Sequence, residues 1–282
     1  MKLPVFDNHV HLRREGRFIE AVKEFERKGG TGILLVNLPI PSDATRPDYF
    51  DSMYAEAERL RDSLKASTHI SVVLAIGPYP LTLLDLAERT GLARAEELML
   101  KGVETAAEHI SCGKADVLGE VGRPHFDVPG EVMEASNRIL DACMREARNA
   151  GCAVVLHTED PTPGMMGALA LMADRAGIRR GMVVKHHCTD LVLDEENHGI
   201  FPSVTASREN VFSAASKGTR FMLETDYIDD PARPGAFMGI GTVPRRVREL
   251  SESGRCDESA LWKIGFENPA TLYGRDRIVQ WW

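Results

Sequence analysis

The 282-residue sequence predicts an α/β fold, a (β/α)8 TIM barrel, on three observations. Short apolar, β-branched runs alternate with segments of helical period along the whole chain. Most of these runs lack the polar alternation of a strand with one wet face, which suits a parallel sheet covered on both sides. Several of them end in residue types that bind metal ions, and in a barrel all such strand ends meet on one face. An open doubly wound sheet fits the alternation too, but no strand leads into a Gly-x-Gly-x-x-Gly turn.

The eight runs cover residues 5–12, 32–38, 70–76, 117–121, 153–157, 182–186, 199–204 and 221–225. Between the first two, Phe18, Ile19, Val22 and Phe25 recur at helical spacing, with Lys23, Glu24, Glu26 and Arg27 on the opposite face. Gly29-Gly30 supplies the stop. Similar patterns predict helices over 49–64, 93–110, 131–150, 164–176, 208–217 and 243–250, with a last one near 258–264. No repeat, low-complexity tract or linker divides the chain. Residues 1–282 therefore read as one barrel domain, with a tail of about 275–282, ending in Trp281-Trp282, packed on it.

Charge and cysteine usage narrow the function classes. Lys+Arg number 34 against 42 Asp+Glu, a net charge of −8, so there is no basic footprint and weak nucleic-acid binding at most is expected. Five scattered cysteines without a Cys-x-x-Cys pair predict reduced thiols in a cytoplasmic protein. Met1-Lys2-Leu3-Pro4 runs straight into a strand without an apolar leader, and no apolar run approaches the ~20 residues needed to span a bilayer. No membrane partner is expected.

The chemistry lies in the strand ends. The first run closes in His9-Val10-His11, and a period of two puts both imidazoles on one side. Glu120 ends the fourth run, His157 the fifth, His186-His187 the sixth, and Asp226 follows the eighth. Taken singly, each has an ordinary reading: a core histidine, a salt bridge at the barrel mouth, a helix cap. Their convergence on one face changes that. Six imidazole and carboxylate donors exceed the needs of one four-coordinate ion and match two divalent ions that share a bridging carboxylate. The donor types fit Zn²⁺ best, with Mn²⁺ or Mg²⁺ as alternatives.

Together these motifs resemble the TatD family of metal-dependent hydrolases, within the amidohydrolase superfamily. The matching residues are Asp7, His9, His11 and Leu12; Gly119-Glu120-Val121-Gly122; His157; His187-Cys188; Leu223-Glu224-Thr225-Asp226; and Glu267-Asn268-Pro269-Ala270-Thr271-Leu272-Tyr273-Gly274. The resemblance implies a barrel, a two-metal centre, hydrolase chemistry and Glu120 as the bridge. It departs at Glu159, where TatD nucleases usually carry a basic residue and where a carboxylate would repel a phosphodiester. The segments at 122–127 and 229–235 differ as well.

Strand six holds a conflict. If His187 faces the barrel, so does Lys185, and a buried ammonium is costly unless paired. Period-two logic favours His186; the His-Cys resemblance favours His187, which is the residue chosen here, with Lys185 near the carboxylates. His9, His11 and Asp226 are then expected on one ion, His157 and His187 on the second, and Glu120 between them. Asp226 is the expected proton acceptor and His125 a candidate donor to the leaving group. Arg123, Glu159 and Arg233 are the candidate substrate contacts. The expected reaction is hydrolysis of a phosphoester on a nucleotide or DNA end. A small carboxylic ester, lactone or amide is the alternative substrate, and a non-catalytic metal-stabilised module is the third reading.

Overall fold

The computed structural model describes residues 3–233 and 238–278. Eight parallel strands form its centre: β1 (Phe6–His11), β2 (Gly32–Val36), β3 (Ser71–Ile76), β4 (Val117–Gly122), β5 (Val154–His157), β6 (Val183–Cys188), β7 (Phe201–Thr205) and β8 (Met222–Glu224). They pair in chain order from β2 to β8, and β1 closes the ring between β8 and β2. The sheet is therefore a closed (β/α)8 barrel, and the doubly wound alternative is excluded. A two-residue β9 (Tyr227–Ile228) pairs with Val10 and His11 of β1 and prolongs the line of β8.

Helices α1 (Ile19–Arg27), α2 (Tyr49–Ser67), α5 (Gly130–Ala150), α6 (Pro163–Ala176), α8 (Arg208–Lys217) and α9 (Thr242–Glu252) lie where helical spacing places them. Between β3 and β4 the single expected helix is two, α3 (Thr82–Thr90) and α4 (Leu92–Ser111). Gly91 separates them with φ +82°, a conformation through which a right-handed helix cannot run. A short α7 (Asp194–Asn197), also unforeseen, precedes β7. The last expected helix is α10 (Glu258–Trp262), which passes through one π turn into α11 (Asn268–Tyr273).

Apolar side chains form two layers. Val10, Leu12, Leu35, Leu74, Leu118, Leu156 and Leu223 pack outward against the helices. Phe6, Val36, Val73, Val117, Val155, Val184 and Met222 fill the barrel, joined by Phe266, Leu272, Tyr273 and Ile278 from the C-terminal elements. These elements are held at the end where the strands begin: Asn268 Nδ2 donates to the carbonyls of Thr219 (2.7 Å) and Phe221 (2.8 Å). Ile278 of the tail is buried in this inner cluster, and Trp281-Trp282 lie outside the described residues.

Three strands carry an extra residue near their C-terminal ends. Asp7 pairs with Ile33 but Val10 with Leu35, so three steps of β1 match two of β2. Leu118 and Val121 of β4 meet Val154 and Leu156 of β5, and Lys185 and Cys188 of β6 meet Pro202 and Val204 of β7, in the same way. Each bulge falls on metal-type residues: Asn8-His9, Gly119-Glu120 and His186-His187. A bulge re-aims side chains and ends the simple alternation of faces.

Candidate metal centre

The bulge in β1 lets Phe6 and the histidine pair share the inner face while Asp7, Val10 and Leu12 point outward. His9 and His11 meet with their Nε2 atoms 3.1 Å apart. His11 Nδ1 lies 3.1 Å from the Val36 carbonyl, which fixes its ring and leaves Nε2 free as a lone-pair donor. Glu120, aimed inward by the bulge in β4, stands at the centre. Its Oε2 lies 3.6 Å from His9 Nε2 and 3.7 Å from His11 Nε2. Its Oε1 lies 3.3 Å from His186 Nε2 and makes a short contact with His157 Nδ1. Gly122 must be glycine for this strand to sit so close to β5: at φ +147°, a Cβ there would lie 1.9 Å from the His157 carbonyl oxygen.

Asp226 completes the first group, with Oδ1 3.5 Å from His11 Nε2. It reaches that place through a left-handed backbone (φ +51°) between β8 and β9. The turn is tied to β1 by Asp7, whose carboxylate accepts from Thr225 N (2.9 Å) and Thr225 Oγ1 (2.7 Å). Burial raises the Asp7 pKa to about 7 against the pull of those two bonds.

At strand six the structure corrects the expectation that His187 faces the barrel. His186 does so: it is buried, and its ring stacks on His9 with centroids 4.0 Å apart. Lys185 therefore points outward, buried under the helical layer, with Nζ donating to the His186 carbonyl at 2.5 Å. Burial lowers its pKa. His187 follows with φ +52° and a side chain 56% exposed at the mouth, Nδ1 4.0 Å from Asp226 Oδ2. The physical reason is the bulge: it falls after Lys185, so alternation holds as far as His186 and fails beyond it.

Glu224, quoted in a motif but given no role from sequence, sits behind this histidine. Its Oε1 lies 3.0 Å from His186 Nδ1 and accepts from His187 N at 2.6 Å. Tyr79, beyond β3, is a second residue that sequence gave no reason to choose; its ring meets His157 edge-on at 5.5 Å.

The remaining candidates divide. His125 is exposed and reaches His157, with Nδ1 2.8 Å from its Nε2. Arg123 and Glu159 bind each other: the guanidinium contacts the Glu159 carboxylate at 3.1 Å and 2.9 Å, and its Nη1 donates to Asn137 Oδ1 at 3.0 Å. The expected repulsion between Glu159 and an anionic substrate is therefore offset by an adjoining cation. Arg233 is not brought to the cluster; it pairs with Asp230 at 2.8 Å in the loop after β9.

The donor set fits a cation. A tetrahedral ion with bonds of about 2.1 Å has donor-to-donor edges of about 3.4 Å. The contacts among His9, His11, Glu120 and Asp226 span 3.1–3.7 Å, so little movement is needed. Three candidate groups overlap there: His9, Glu120 and His186; His9, His11 and Asp226; His186, His187 and Asp226. Electrostatics agree. Burial pushes the Glu120 carboxyl up, but His157 and His186 outweigh it and hold it well below the ordinary carboxylate value. Burial likewise opposes ionisation of Asp226, yet His11, with His9 and His186, brings its pKa to about 2. His186 is pushed to about 10 because Glu224 and Glu120 outweigh its burial. The cluster favours positive charge, which a bound cation would supply.

Comparison with known proteins identifies the family and the fold. A family model described as TatD related DNase matches residues 6–274. An uncharacterized protein of Methanocaldococcus jannaschii is 37% identical over 277 residues, 97% of each chain. Among solved structures, a TatD homologue from Escherichia coli superposes with a TM-score of 0.67 at 17% identity, over 97% of this chain and 99% of that one. The phosphotriesterase homology protein of Escherichia coli, solved with phosphate in its active site, gives 0.62 at 14% identity over 97% and 99%. Among the described residues no helix is long and apolar enough to cross a membrane. The family match runs from the first strand to the end of α11, and the chain belongs to the TatD-related DNase family of metal-dependent hydrolases.

Proposed function

We propose that this hydrolase cleaves a phosphoester, on a nucleotide or a DNA end, with two divalent ions held across Glu120. The observation that carries the reading is the division of that carboxylate, Oε2 toward His9 and His11 and Oε1 toward His157 and His186. His9, His11 and Asp226 would hold one ion and His157 and His186 the other, with His187 flanking at the mouth. Zn²⁺ suits these donors best, and Mn²⁺ or Mg²⁺ are the harder alternatives. When bound, such ions supply an activated water and positive charge for the oxygen that gains charge in the transition state.

The chain's own groups do the rest. Asp226, ionised and at the edge of the cluster, accepts the proton of the attacking water. His125, exposed and in contact with His157, stands where a proton can be handed to a leaving group. Glu224 keeps the His186 ring in one orientation. Arg123 holds Glu159 and offsets its charge, leaving a neutral pair beside the site. A carboxylic ester, lactone or amide drew its support from Glu159 and the acidic balance of the chain, and with the Glu159 charge paired the phosphoester reading leads.

Elemental analysis of protein purified without chelator, followed by a substrate screen of the metal-loaded protein, tests this. About two equivalents of metal and turnover of phosphodiesters, mononucleotides or DNA ends are expected. Turnover of lactones, esters or amides without phosphoesters would reassign the substrate class. A folded protein that stays metal-free in excess Zn²⁺ and Mn²⁺ would remove the metal reading.

A further inference from the structure

A chain of buried polar groups runs from the C-terminal helix to the metal-facing histidine of strand six. Tyr273 Oη donates to Asn8 Oδ1 at 2.7 Å, and Asn8 Nδ2 donates to Ser203 Oγ at 2.9 Å. Ser203 Oγ donates in turn to Glu224 Oε2 through a short bond, and Glu224 Oε1 faces His186 Nδ1. Tyr273, Asn8, Ser203, Glu224 and His186 are all buried, so no link faces bulk solvent. They come from α11, β1, β7, β8 and β6, which are joined here and far apart in sequence.

The chain has one polarity. A phenol carries one proton, and here it is given to the Asn8 carbonyl oxygen. That contact fixes which end of the amide faces Ser203: the NH₂ end. Receiving a proton from the amide, the Ser203 hydroxyl turns its own toward Glu224. As a carboxylate, Glu224 accepts from Ser203 through Oε2 and from the His186 ring through Oε1, so His186 presents Nδ1–H to it and Nε2 is the nitrogen left toward the cluster. Without the phenol proton the amide has no fixed sense. Turned over, it would draw the Ser203 proton away from Glu224.

We infer that Tyr273 is a positioning residue for the metal centre, setting the orientation of His186 through Asn8, Ser203 and Glu224. The inference rests on the metal reading above. It joins the C-terminal Leu272-Tyr273-Gly274 segment, which packs at the opposite end of the barrel core, to the chemistry at the mouth. Tyr273 touches neither substrate nor ion; it acts only through the relay.

The test is Zn²⁺ affinity, measured by competition with a chromogenic chelator, for Tyr273→Phe, Ser203→Ala and the double variant, beside their melting temperatures. Tyr54→Phe is the control: it deletes another buried phenol bond, 3.0 Å to the Gly102 carbonyl, between two helices away from the site. Each relay variant should weaken Zn²⁺ binding by about 10-fold, the low end for losing a partner behind a ligand. The double variant should lose no more than Ser203→Ala alone, because both act on one chain of bonds. Tyr54→Phe should leave affinity unchanged. Wild-type affinity in Tyr273→Phe, or additive losses in the double variant, would overturn the relay while leaving the metal centre standing. If Tyr273→Phe does not fold, unaltered affinity in Ser203→Ala overturns it equally. A wild-type protein that takes up no Zn²⁺ would overturn both readings.

Discussion

His186 and Glu224 face each other across the tops of β6 and β8, with Nδ1 of the imidazole 3.0 Å from Oε1 of the carboxylate. The same oxygen accepts the backbone N–H of His187, so one carboxylate grips the ring of the first histidine and the main chain of the second. This double contact spans the bulge at His186-His187 and holds the inward ring of the first histidine and the main chain of the second.

His186 and His187 should therefore separate cleanly on substitution. His186→Ala is expected to lose bound metal on dialysis and at least ~100-fold in turnover, since it removes a ligand and takes the imidazole partner from the buried Glu224. His187→Ala should cost less than ~10-fold, as its side chain is mostly outside the cluster. Metal content and kcat measured side by side decide it; the reverse order would restore His187 to the inner position.

Replacing Glu224 by Gln keeps its shape and removes its charge. Loss of such a partner behind a ligand costs ~10–100-fold in metal affinity or activity. The expected result is weaker Zn²⁺ retention in a chelator competition. An effect confined to the melting temperature would give Glu224 a purely structural role.

Asp226→Asn should lower kcat by at least ~100-fold, the low end for loss of a general base, with little change in melting temperature. Steady-state kinetics at fixed metal loading measures it. If turnover is nearly normal, the proton acceptor is another group, with Glu159 and His125 next in line.

Arg123 is mostly buried and binds both Glu159 and Asn137. Arg123→Ala should destabilise the fold by about 1–3 kcal/mol, because charged hydrogen bonds are lost and their acceptors left short of donors. Thermal denaturation of Arg123→Ala beside Glu159→Gln checks this, and the second change should be the milder one.

DNA binding should be weak. With a net charge of −8, few Lys and Arg contacts are available to release counterions from phosphate. Titration of single- and double-stranded oligonucleotides at ~0.15 M salt should show no sub-micromolar complex. Tight binding with a steep salt slope, or fast processive digestion, would point to a DNase acting on long polymers.

Much of this was legible in the order of residues. Apolar runs at strand length, separated by helical period, specify alternating strands and helices, and closure of eight of them brings distant strand ends together. His9, His11, Glu120, His157 and Asp226, which the fold brings near one another, were conspicuous in the sequence because each stands at such an end, as a polar residue following buried strand positions. Strand six marks where that reasoning stopped. Alternation predicts facing only while two strands keep register, and the bulges at Asn8-His9, Gly119-Glu120 and His186-His187 are properties of paired strands, with no local signal in either. The same holds for Glu224 behind His186, Asp7 beneath Thr225 and Arg123 against Glu159. Those pairings exist because the barrel carries remote side chains into one dry volume, where each buried polar group must find a partner among whatever the closure places beside it.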